Sequence, residues 1–116
     1  MARRDLTGAV DFSVLERMTG GEDGVTEEIL GLFAQQAALW SPLLDVREEG
    51  WRDAVHTLRG AAAGIGAEEL TQACAAAEAS DRAEAPPLLE RTRNALEAAL
   101  ADVAAYRHEL MLRSLR

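Results

Sequence analysis

Cys74 is the only cysteine among 116 residues, so the chain cannot close a disulfide on itself. Histidine is nearly as scarce, with only His56 and His108, and no cysteine–histidine spacing resembles a zinc site. Aromatic residues are just 4% of the chain and prolines number three, while alanine is abundant. That balance favours closely packed helices over a sheet. No apolar run approaches the roughly 18 residues needed to cross a bilayer. The opening MARRDLTGAV carries two arginines but no apolar stretch, so it does not read as a signal peptide. Positive charge is in deficit too: 12 basic residues against 20 acidic ones leave a net charge of −8. This excludes a nucleic-acid footprint and disfavours an anionic membrane surface, leaving protein partners as the natural use of the charge. There is no G-x-x-x-x-G-K-[ST] loop and no kinase glycine loop, so no nucleotide site is expected. A single-domain cytoplasmic monomer spanning residues 1–116 is the expectation, and the alanine- and arginine-rich composition suits a bacterial source.

Five helical segments can be read. Asp11 is an N-cap for a short first helix over 12–18, stopped by Gly20 and Gly21. A longer segment begins near Asp23–Thr26 and carries Ile29, Phe33, Ala37, Trp40 and Leu44 at helical spacing. Pro42 falls inside that pattern and predicts a kink or brief break around 39–41. After Gly50, a third helix is predicted over Trp51–Ile65 and ended by Gly66. A fourth, over 68–82, buries Leu70, Ala73 or Cys74, and Ala77. Pro86 and Pro87 suit the first turn of the last helix. There Leu89, Thr92, Leu96, Ala99, Val103, Tyr106 and Leu110 alternate at spacings of three and four, the seam of a helix packed nearly parallel to its neighbours. The expected fold is all-α: an up-down-up-down four-helix bundle with a short extra N-terminal helix as a lid.

Within the third helix, at about 100° per residue, His56 lies roughly 60° from Arg59, 40° from Gly60 and 20° from Ala63. Trp51, Val55, Leu58, Ala62 and Ile65 occupy the opposite side. The apolar stripe turns to the core and the imidazole turns outward beside a fixed cation. Gly60 costs roughly 1 kcal/mol against alanine inside a helix, so bare backbone for close approach of a partner is its expected use. Gly64 and Gly66 read as helix-ending or packing glycines, His108 as a surface residue, and Cys74 as a small core residue.

The run His56-Thr57-Leu58-Arg59-Gly60, followed by small residues, Gly66 and Leu70, resembles the motif of histidine phosphotransfer (HPt) domains. That pattern is H-x-(L/I)-K-G, with a glycine ten positions after the histidine and a leucine four beyond it. The departure is Arg59, where the family usually has lysine; the charge is kept, but on a wider, forked donor. The resemblance implies that His56 is the phosphoacceptor, that Arg59 stabilises the phosphoryl charge, and that Gly60 admits the partner. The chemistry is consistent, since a neutral imidazole is a competent nucleophile and a nearby cation favours the anionic product. It further implies a relay between a hybrid sensor histidine kinase and a response-regulator receiver domain. The receiver's aspartyl phosphate is the phosphoryl source, the Mg²⁺ sits on that partner, and no cofactor belongs to this chain. One alternative is an HPt-like bundle that only binds or sequesters a response regulator. A metal-binding bundle is excluded, because two histidines cannot supply its inward-facing Glu-x-x-His pairs.

Overall fold

A computed structural model describes residues 7–116, so Arg3 and Arg4 of the N-terminal segment lie outside the described residues. Five α-helices follow in order: α1 (Phe12–Thr19), α2 (Asp23–Trp40), α3 (Trp51–Ile65), α4 (Glu68–Ala79) and α5 (Ala85–Ser114). There is no strand among the described residues. α2 packs on α3 and α5, and α4 packs on the same two helices, which closes a four-helix ring. α1 lies across α2 and α3. At 1.5 Å per residue α5 runs about 45 Å, which sets the long axis of a molecule measuring 52 × 22 × 21 Å.

Local chemistry explains the boundaries. The Asp11 carboxylate accepts from the Ser13 amide at 3.1 Å and caps α1, and Gly20, at φ 64°, ends it. Pro42 produces a break where a kink was the other option: α2 stops at Trp40, and Ser41–Leu43 form one 3₁₀ turn. α3 matches its predicted span. It ends because Gly66 adopts φ 83°, letting the Gly66 and Ala67 amides fold back onto Ala63 and Ala62 carbonyls. α4 is shorter than expected, ending at Ala79 where the sequence pattern ran to Arg82, because Ser80 turns extended at ψ 159°. Within α2 the buried residues are Thr26, Leu30, Phe33 and Ala37; Ile29, expected in the stripe, is only partly buried, and Leu30 takes the inward position. The whole predicted α5 seam is buried, and both Ala73 and Cys74 are.

Among the described residues one carboxyl group is buried. Asp102 of α5 is fully buried and accepts from the Thr7 amide (2.7 Å), the Thr7 hydroxyl (2.9 Å) and the Val10 amide (3.2 Å). It ties the segment before α1 to the C-terminal half of α5, where Phe12 stacks on Tyr106 with ring centroids 4.1 Å apart. Asp102→Ala leaves the buried Val10 amide without its acceptor, at about 1–2 kcal/mol, while the two donors of exposed Thr7 can turn to water at a smaller cost. It should lower the unfolding free energy by about 2 kcal/mol in urea titration; a change below about 0.5 kcal/mol would contradict this anchoring role.

Candidate functional site

α3 and α4 are joined by only Gly66 and Ala67, so they form a tight antiparallel hairpin. His56 lies ten residues before Gly66 and Glu78 eleven after Ala67, which brings them face to face. His56 Nδ1 is 2.7 Å from Glu78 Oε2. With the ring neutral, that bond places the proton on Nδ1 and leaves the lone pair on Nε2. Nε2 makes no hydrogen bond to any described residue, and the imidazole side chain is 64% exposed. The nitrogen that keeps its lone pair therefore stands on an exposed side chain, while the other nitrogen is held.

Arg59 sits one turn further along α3. Its Nη1 lies 3.2 Å from Glu78 Oε1, so the carboxylate bridges the imidazole and the guanidinium. That second contact has the distance of an ion pair without the angles of a hydrogen bond, and Oε1 is buried with no hydrogen-bond partner. Arg59 is thus held by charge and is not locked in place. Its partner in the resting chain is Glu78, a residue the sequence reading passed over. An acid near the end of an alanine-rich helix looks like part of a solvated face; only its nearly equal separation from the Gly66-Ala67 turn, eleven residues against ten for His56, hinted otherwise.

Gly60 is exposed, and a Cβ added there would meet nothing within 4 Å. No neighbouring helix requires it to be glycine, and the backbone beside His56 is open. Gly64 is also open, which removes the packing role expected for it. Gly66 does both things expected of it: it ends α3, and its carbonyl receives the Asp11 amide at 2.9 Å. Cys74 is buried beneath this site, one turn before Glu78. Desolvation pushes its thiol up to about 11, with Glu78 adding to the rise and Arg59 opposing it, so the thiol stays protonated and inert. His108 is exposed on α5 beside Arg107, which is paired with Glu27 at the opposite end of α2 from Trp40. Among the described residues no group of three or more His, Cys, Asp or Glu side chains could hold a metal ion, and no helix is long and apolar enough to cross a membrane.

Comparison with known proteins agrees with this geometry. The family model of the Hpt domain matches residues 27–106, from early α2 to Tyr106 in α5. The chain belongs to the histidine phosphotransfer family. It is 50% identical to the crystal structure of the histidine phosphotransferase ShpA from Caulobacter crescentus, with a TM-score of 0.80 over 94% of this chain and 100% of that one. No curated protein matches the chain. It is a phosphorelay HPt protein, and these matches do not favour the binding-only alternative.

Proposed function

We propose that His56 is the phosphoacceptor, that it takes a phosphoryl group on Nε2 from an aspartyl phosphate of a response-regulator receiver domain, and that residues 1–116 work as one domain in doing so. The observation that carries this reading is the division of labour on one ring. Nδ1 is bonded to Glu78 at 2.7 Å, and the free nitrogen stands on an exposed face. In the transfer, the Nε2 lone pair forms the N–P bond as the bond from phosphorus to the donor carboxylate oxygen breaks. The electron pair leaves with that carboxylate. The Nδ1 proton stays between the ring and Glu78, which balances the positive charge the imidazole acquires. Arg59, held at 3.2 Å by charge alone, is free to turn its guanidinium to the phosphoryl oxygens.

On this reading the receiver supplies the Mg²⁺, and a hybrid sensor histidine kinase stands at the other end of the relay. Gly60 lets the receiver's active site close over the histidine, excluding water from a labile bond. A rapid-quench time course with one phosphorylated receiver tests both helpers. Arg59→Ala should slow transfer by about 10- to 100-fold, equivalent to roughly 1.4–2.8 kcal/mol. Gly60→Gln should slow it while leaving the melting temperature unchanged or slightly raised, since a helix interior prefers almost any residue to glycine. Wild-type rates in both variants would mean that neither residue serves the transfer.

A further inference from the structure

We infer that Arg52 is a positioning residue for the phosphoacceptor, acting on it through Glu78. The last carbonyls of any helix lack amide partners, and they are usually served by a left-handed glycine or a basic side chain in the last turn. α1 and α3 end on glycine, but α4 ends on Ser80 in an extended conformation and has no basic residue in its last turn. The Ser80 amide and hydroxyl both turn back to Ala77 O, at 3.2 and 2.7 Å.

The missing cation comes from the neighbouring helix. Arg52 Nη1 donates to the Glu78 carbonyl at 3.2 Å, and its Nη2 donates to the Ser80 carbonyl at 3.0 Å. The guanidinium lies over the Trp51 ring, 4.3 Å from its centroid, so its fork is oriented before it meets the two oxygens. A positive charge at that end also opposes the helix dipole. Arg52, His56 and Arg59 follow one another at spacings of four and three, along one face of α3. All three converge on Glu78: Arg52 on its backbone, His56 and Arg59 on its carboxylate. The carboxylate that holds the imidazole stands in the final turn of its helix, where fraying is easiest. Arg52 is what fixes that turn against α3, without itself reaching His56.

The inference rests on His56 being the phosphoacceptor, and the test keeps the two claims apart. In the full chain labelled with ¹⁵N, long-range ¹H–¹⁵N correlations read the tautomer of His56, with His108 as an internal control. The wild type should show the Nδ1–H form. Arg52→Ala should move His56, and not His108, toward the Nε2–H form that predominates in a free side chain, and Arg52→Lys should retain more of the Nδ1–H form than Ala does. Single-turnover transfer from a phosphorylated receiver should slow by about 3- to 10-fold in Arg52→Ala. In a Glu78→Ala background, adding Arg52→Ala should change neither the tautomer nor the rate. An unchanged tautomer in Arg52→Ala would overturn the inference. Equal slowing with and without Glu78 would also overturn it, by placing Arg52 in direct contact with the partner. Failure of the phosphoacceptor reading would show separately, as a wild type that takes up no phosphate at His56 while the tautomer still responds to Arg52.

Discussion

His56→Gln should fold like the wild type and accept no phosphoryl group from an aspartyl-phosphorylated receiver. The expected loss is at least about 1,000-fold, or roughly 4 kcal/mol of transition-state stabilisation, because the lone pair of an amide nitrogen is delocalised into its carbonyl and is not nucleophilic. Stability should hold for two reasons. The imidazole is 64% exposed, so little packing is lost, and a glutamine amide can still donate to Glu78. Circular dichroism with urea titration checks the fold, and a filter-binding assay with labelled receiver checks the transfer. Substantial labelling of this variant would move the site elsewhere on the chain. His108 is the other histidine, but it has no carboxylate bonded to its ring among the described residues, and its neighbour Arg107 is committed to Glu27.

A large effect on stability should come from Gly66→Ala. The backbone there has φ 83°, a left-handed conformation that costs a residue with a Cβ about 1–2 kcal/mol. The added carbon would also stand 2.5 Å from the Asp11 carbonyl oxygen. That oxygen belongs to backbone, and the Asp11 amide is bonded to the Gly66 carbonyl at 2.9 Å, so relief requires the start of α1 to move away from α3. The two costs together amount to about 3 kcal/mol, a fall of about 2 M in the urea midpoint at a slope near 1.5 kcal/mol/M. Gly66→Asn separates them: asparagine tolerates the left-handed region but keeps the Cβ, so it should recover only part of the loss. A change under about 0.5 kcal/mol in Gly66→Ala would show that the turn between α3 and α4 adapts freely. The remaining folded protein should transfer phosphate normally, since Gly66 stands ten residues from His56 along the helix.

Much of this molecule was legible in one dimension because its helices announce themselves. Trp51–Ile65 was readable from its apolar stripe and terminal glycine, and the α5 seam from its alternating spacing. Both are local patterns, and each maps onto burial as expected. The outward imidazole beside Arg59 and Gly60 was readable for the same reason, being a matter of angle around one helix. What escaped depends on the register between elements. Glu78 and Arg52 matter because α4 runs back along α3 with a two-residue turn, and neither stands out within its own helix. Asp102 looks like an ordinary acid on a long helix; its burial depends on the segment at Thr7–Val10 folding over it. Ile29 and Leu30 are adjacent apolar residues, and only packing between α2 and its neighbours decides which one turns inward.

The central claim concerns one nitrogen atom. Phosphorylating the ¹⁵N-labelled chain with an aspartyl-phosphorylated receiver, at a pH where phosphohistidine survives, allows the phosphorus to be located by its coupling to ring nitrogen. The account predicts phosphorus bonded to Nε2 of His56, with Nδ1 remaining bonded to Glu78. Phosphorus on Nδ1 of His56, or on any other residue, would contradict it.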